Sequence, residues 1–365
     1  MLLALNFIMN NKRKILIIVL IVIISTFTIN LSTTLIHSLY DTCYDVGVKP
    51  YNEYTIIYGN DAGELISFEN VEKLRGSEDI RSIYKVIIET TSIETIFGTT
   101  SANIYFINDN DEIEKILEEM ELTLLKGTLP VEGAKEILLH KNIAINKNIN
   151  VGDFIGNYKI VGIIDGETQI CIGTLNEMYQ EVFNETPMAL LLLPRGDINI
   201  TEMNKKLEDM KLKDIDIYGL CDAKKDIDDE FSNINIILNL IIVMIAVSLS
   251  IASAALVFAI YSNRYDEFGI LHALGYNKRE IRKVIFKEIF LISVIGWLIG
   301  YVVSLICIKL IDYAVYSRMG QKMSIITFNG LIQSLIVPIG VFVFTVIPVL
   351  RKLKKTDLIS IIERR

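Results

Sequence analysis

Four stretches of this chain are long and apolar enough to cross a bilayer, and they leave only one sizeable block free to fold in water. A hydrocarbon core of ~30 Å needs about 20 helical residues at 1.5 Å each. Ile15–Ile36, the run that ends at Ser262, Ile289–Ile311 and Phe328–Leu350 all meet that length. Lys12-Arg13-Lys14 precedes the first run, while Arg351-Lys-Leu-Lys-Lys355 and Arg364-Arg365 follow the last. Positive flanks stay in the cytoplasm, so four spans with both termini inside are expected, in a plasma or inner membrane. A signal peptide is the competing reading of the first run. The run is longer than a usual apolar h-region and no small-x-small site follows, so an uncleaved anchor is preferred. Ser25, Thr26, Thr28, Asn30 and Thr33 within it are read as helix-packing groups in preference to a substrate path.

The water-soluble block lies between the first two runs and is strongly acidic. Tyr40 to Glu230 holds 18 Lys and Arg against 37 Asp and Glu, a net of −19, while the rest of the chain is at +11. Strand-like pieces (YTIIY at 54–58, 80–89, 101–107, EILLH at 136–140, 158–164, 188–193) alternate with helical ones near 67–75, 111–122, 175–183 and 201–211. That pattern predicts an α+β domain with its own core. Cys43, Cys171, Cys221 and Cys307 form no CxxC pair, and the three histidines are scattered, so zinc is unsupported. Neither G-x-S-x-G, H-E-x-x-H nor G-x-x-x-x-G-K-[ST] occurs, so no catalytic residue is nominated, and an ATP-driven role would need another chain.

From Asp222 to Tyr261 there is no Pro or Gly, and Ile227, Phe231, Ile234, Leu238, Ile241 and Ile245 recur at spacings of four and three. One helix of about 40 residues would be ~60 Å long, twice the hydrocarbon thickness, which predicts a stalk continuous with the second span. Its seam serves either a dimer or intrachain packing; Ser248, Ser250 and Ala252 to Ala255 offer small surfaces for close approach.

The segment Asn263–Glu288 then joins two apolar runs. Phe268, Leu271 and Leu274 share a helical face, Gly275 stops that helix, and Asn277 with Glu280 forms a capping box for a second one. The second helix sets Ile281, Val284, Ile285 and Ile289 against Arg279, Arg282, Lys283 and Lys287. These cations serve either anionic headgroups or a protein partner. In the third run Gly296 and Gly300 form a G-x-x-x-G packing site, and Pro338, Gly340 and Pro348 in the fourth predict kinks.

Glu267-Phe-Gly269-Ile-Leu-His-Ala273-Leu-Gly275, followed by a basic helix and a span, resembles the signature loop of the FtsX-like permease family, with His272 where that family usually has Arg or Lys. The succession Lys126-Gly-Thr-Leu-Pro130, Glu136-Ile-Leu-Leu, Val151-Gly-Asp153 and Tyr158-Lys-Ile-Val-Gly-Ile-Ile-Asp165 resembles the outer core domain of its MacB-type members. The tail has Leu358 where many members carry proline.

The resemblance implies an α-helical membrane protein with four transmembrane helices and an α+β extracytoplasmic domain inserted between the first two. Its expected layout is 1–14 cytoplasmic, 15–36 first span, 37–222 MacB-like core domain, 223–262 stalk and second span, and 263–288 cytoplasmic coupling loop. Then come 289–311 third span, 312–327 outer loop, 328–350 fourth span and 351–365 cytoplasmic tail. It further implies a non-catalytic permease subunit of an ABC transporter that exports or extracts a peptide, drug or lipid-linked molecule. It would work as a homo- or heterodimer, in contact with membrane lipid and with no nucleic acid. This chain would bind no cofactor; ATP and Mg would act through a separate cytoplasmic ATPase. Glu267, Phe268, Gly269, Ile270, Leu271, Ala273, Leu274 and Gly275 would form the ATPase contact, supported by Arg279, Arg282, Lys283 and Lys287. The alternatives are an FtsX-like regulator of a cell-wall hydrolase and a membrane-anchored sensor without an ATPase.

Overall fold

Helix α1 (Lys12–Gly47) continues eleven residues past the expected end of the first span, because no residue unfit for a helix interrupts it before Gly47 and Pro50. The computed structural model describes residues 12–60, 65–175, 187–196 and 198–355. The helix expected at 175–183 and the tail with Leu358 lie outside the described residues. The chain divides into two compact units, 38–233 with 312–322, and the remainder.

The first unit is built on a mixed sheet with strands β1 (Thr55–Gly59), β2 (Ile80–Thr95), β3 (Gly98–Ile107), β4 (Thr123–Gly127) and β5 (Glu136–His140). It continues with β6 (Phe154–Ile155), β7 (Tyr158–Asp165), β8 (Cys171–Thr174), β9 (Ala189–Pro194) and β10 (Ile215–Tyr218). Their order is β10-β1-β9-β2-β3-β8-β5-β7-β4, with β6 paired to β7. The long β2 serves both halves: Ile80–Val86 pairs antiparallel with β9, and Ile87–Thr95 pairs with β3. Helices α2 (Phe68–Arg75), α3 (Asn110–Glu119) and α5 (Ile200–Asp209) start at Ser67, Asp109 and Asn199, whose side-chain oxygens accept a backbone N–H. In α3 the apolar stripe Ile113, Ile116 and Leu117 is buried against Tyr105, Leu138 and Ile172. That helix ends three residues earlier than the expected 122, and Glu121 at φ 53° turns the chain into β4, an exposed strand that no alternation announces. Gly127 in the Lys126–Pro130 run has φ 89°, and a Cβ there would collide with the Val161 carbonyl.

α4 (Lys141–Lys147) begins at His140, which is fully buried. Its Nδ1 accepts from the Asn142 N–H at 3.3 Å, so the Nε2–H is the donor to the Gly166 carbonyl at 3.2 Å. Burial pushes this imidazole below its usual range. The neutral ring is the folded form, and the unfolded chain takes up the proton first as pH falls below about 6.5. Stability contributed by His140 is therefore present above that pH and lost as pH drops toward the folded pKa. Hydrogen exchange of the β5 and β7 amides, corrected for intrinsic rate, should show protection falling between neutral and mildly acidic pH. His140→Gln should flatten that dependence.

Four helical stretches are long and apolar enough to cross a membrane, Ile15–Gly47, Leu220–Ser262, Lys278–Met319 and Phe328–Arg351, and the second unit holds 15–37, 234–262, 278–311 and 328–351 of them. The second, α6 (Leu220–Ser262), is one uninterrupted helix of 43 residues, about 65 Å at 1.5 Å per residue. Its expected seam divides. Phe231 packs edge-on to Tyr40, whereas Ile234, Ile241 and Ile245 are exposed. Ile242, Ala246, Ser250, Ser253 and Val257 are buried instead. Val22 and Ile29 of α1 join Ile242 and Ala246 in one cluster with Val337 and Val341. Asn30 Nδ2 donates to Ser304 Oγ at 2.6 Å and Thr33 to Gln333 at 2.7 Å, so these groups of the first span bridge helices. The fourth span is not one helix. It breaks at Leu335 into α9 (Phe328–Ser334) and α10 (Ile336–Lys355). Pro338 explains the break, because its ring lacks an N–H and would clash with the carbonyl of Ser334, four residues back. All four cysteines are free thiols.

Candidate functional site: the loop between the second and third spans

Helix α7 (Tyr265–Ala273) and helix α8 (Lys278–Ala314) meet at a sharp turn whose geometry follows from two residues. Gly275 sits at φ 97°, its N–H donates to His272 O at 3.0 Å, and the Tyr276 N–H donates to Leu271 O at 3.1 Å. This is a complete Schellman closure, which a left-handed glycine makes cheaply. His272 Nδ1–H adds a bond to the Tyr276 carbonyl at 2.9 Å, so the side chain closes the turn on itself. On the far side, the Glu280 carboxylate accepts from the Asn277 N–H at 2.8 Å and caps α8. From there α8 runs without a break through the basic stretch and the third span, with Ile281, Ile285, Ile289 and Ile292 buried along one face.

A buried polar knot fastens α7 to this frame. Glu288, 1% exposed, accepts through Oε2 from Tyr261 Oη and from Arg264 Nη1, both at 2.8 Å. The Arg264 Nε reaches Glu267 at 2.8 Å. The guanidinium lies beside two stacked, nearly parallel rings, 5.3 Å from the centroid of Tyr261 and 5.1 Å from that of Phe268. A cation in contact with two aromatic rings and paired with a carboxylate is held in position by several contacts at once. Tyr261, Arg264 and Glu288 were not singled out from sequence. The signal was there: Glu288 is the one charge on the buried face that runs Ile281, Ile285, Glu288, Ile289, Ile292.

The candidate contact residues separate by exposure. Phe268 is 1% exposed in the cluster of Val257, Tyr261, Ile281 and Ile285, and Gly269 is buried. Leu271 is half-buried against the same cluster. The expected shared face of Phe268, Leu271 and Leu274 is thus graded, because the tight turn at Gly275 swings Leu274 out to 72% exposure. Ile270 and Leu274, with Tyr276, form an exposed apolar edge, and Glu267, Ala273 and Gly275 are exposed beside it. Of the expected contact residues, Phe268 and Gly269 are thus buried and Leu271 is partly so. Arg279, Lys283 and Lys287 are exposed, while the Arg282 Nε turns back to the Lys278 carbonyl at 3.2 Å.

Farther along α8, Gly296 and Gly300 face α1. A Cβ at Gly296 would meet Val22 Cβ at 2.9 Å, and one at Gly300 would meet the Ile23 backbone oxygen at 2.7 Å. No cluster of metal-ligating side chains exists among the described residues.

Several solved structures are similar to part of this chain. The periplasmic region of MacB from Actinobacillus actinomycetemcomitans is 15% identical, covers 50% of this chain and 94% of its own, and has a TM-score of 0.30. The extracellular domain of the noncanonic ABC-type transporter YknZ from Gram-positive bacteria is 12% identical, covers 46% of this chain and 100% of its own, with a TM-score of 0.29. A domain of a permease-like protein from Porphyromonas gingivalis is 9% identical, covers 46% and 89%, and scores 0.27. No curated protein matches the chain by sequence. Residues 239–358, which hold the turn, the basic helix start, the end of the second candidate span and the two spans after it, match the FtsX-like permease C-terminal family model, and with four helical stretches long and apolar enough to cross a bilayer the chain reads as a multi-pass membrane protein similar to those permeases over that third of its length.

Proposed function

We propose that this chain is the permease subunit of a MacB-type ABC transporter and that a separate cytoplasmic ATPase docks on α7. The observation that carries the reading is the exposed edge of Ile270, Leu274 and Tyr276, on a short helix fastened to two spans through Arg264 and Glu288. An apolar edge on a rigid lever suits a partner that pushes. When the ATPase subunits close on ATP, α7 would move with them, and the knot would pass that motion to α6 and α8. Basic flanks at Lys12–Lys14 and Arg351–Lys355 favour a cytoplasmic place for this loop and for both termini. The layout 1–14, 15–36, 37–222, 223–262, 263–288, 289–311, 312–327, 328–350 and 351–365 fits that topology. Ile234, Ile241 and Ile245, bare on α6, suit a second permease chain beside the stalk. ATP and Mg would be held by the partner, and the substrate class is an exported or extracted peptide, drug or lipid-linked molecule.

Affinity purification in mild detergent, followed by mass spectrometry, tests this. Wild type should retain a P-loop ATPase, and Ile270→Asp with Leu274→Asp should lose it while keeping its melting temperature, since both side chains are already exposed. Retention of a cell-wall hydrolase with no transport would favour the regulator branch, and no ATPase in either sample would favour a sensor.

A further inference from the structure

A groove of about 690 Å³ runs along α4 in the unit that holds the sheet. Its floor is apolar, with Leu125, Ile145, Ile149 and Ile163, of which Leu125 is 49% and Ile145 40% exposed. Its rim carries Lys126, Lys141 and Arg318 and no acidic residue. That is unusual in a block with a net charge of −19. Lys141 is paired with Asp165 at 3.0 Å, and among the described residues Lys126 and Arg318 have no carboxylate partner. The rim is also built. Asn146, 9% exposed, donates through Nδ2 to the Met319 carbonyl at 3.0 Å and pins the turn Tyr316–Met319, which bears Arg318, beside α4.

We infer that this groove binds an anionic membrane phospholipid, with the acyl chain on the apolar floor and the headgroup phosphate between Lys126 and Arg318. A free inorganic anion would have no use for four apolar side chains, and a neutral lipid would have none for unpaired cations. The volume is that of a small-molecule site, about 300–1,000 Å³. Arg318 selects a membrane lipid over a soluble amphiphile, because it lies four residues beyond the end of α8 and is the last residue but one of the third candidate span, Lys278–Met319. The inference does not depend on the ATPase reading.

The test uses the full chain in phosphatidylcholine nanodiscs that contain a minor share of phosphatidylglycerol with a photoreactive diazirine in its acyl chain. After irradiation and digestion, label is expected on peptides from 125–163. It should drop roughly tenfold in the Lys126→Glu, Arg318→Glu variant and persist in Lys126→Arg. Unlabelled phosphatidylglycerol should compete, and neither phosphatidylcholine nor glycerol phosphate should. A phosphatidylcholine probe that labels these peptides equally would overturn the proposal. So would label confined to the spanning helices, or competition by glycerol phosphate as strong as by the lipid.

Discussion

Arg264→Ala should destabilise the membrane-spanning unit by about 3–5 kcal/mol, the cost of leaving one partner of a buried ion pair without the other. The side chains of Arg264 and Glu288 are 12% and 1% exposed, so solvent cannot replace the lost contact. Glu288 would keep the Tyr261 hydroxyl as a donor, and the Tyr261 and Phe268 rings would lose the cation packed beside them. Replacing both members, as Arg264→Met with Glu288→Leu, should recover most of the stability, because an apolar pair needs no partner in that place. Detergent-solubilised unfolding curves for the two single variants and the double one give the coupling energy directly. In the presence of an ATPase the double variant separates the two roles of the knot. Its fold should be intact while substrate-dependent stimulation of ATP hydrolysis falls, since a greasy contact does not hold α7 in one orientation.

The second large effect is an asymmetry between two glycines four residues apart. Gly300→Ala should cost about 1–3 kcal/mol and reduce the folded yield, and Gly296→Ala should cost less, because part of its clash is with a side-chain methyl. Both would press on α1, but on different things. At Gly296 the added methyl meets Val22 Cβ and Cγ1, both at 2.9 Å; a new rotamer relieves the Cγ1 contact, while the Cβ contact needs a small shift of α1. At Gly300 it meets the Ile23 carbonyl oxygen at 2.7 Å and Ile23 Cα at 3.0 Å, and a helix backbone cannot yield without moving the whole span. Thermal unfolding of the two variants in one detergent decides it, and equal costs would mean that α1 and α8 do not pack this closely.

Much of the turn was legible because it rests on local chemistry. Gly275, Asn277 and Glu280 act within five residues of each other, and Ile281, Ile285 and Ile289 follow the helical period. The burial of Phe268 was not legible. Its place on the stripe suited an outward contact as well as an inward one, and only the arrival of Tyr261 and Ile281 from neighbouring helices decides between them. Glu288 was missed for the same reason, since its partners lie 24 and 27 residues earlier. In the sheet, β2 and β9 were visible as apolar runs, while β4 was hidden because every residue in it is exposed. The parallel pairings β3 with β8 and β5 with β7 depend on contacts between distant segments that no local pattern encodes.

The central claim is that α7 touches an ATPase through Ile270 and Leu274 while Phe268 only anchors it. A photocrosslinking amino acid at position 274, and separately at 268, in the full chain expressed with its native partners measures this contact directly. The account predicts a crosslink to a P-loop ATPase from position 274 and only intrachain products from 268. A crosslink to the ATPase from 268 and none from 274 would contradict it.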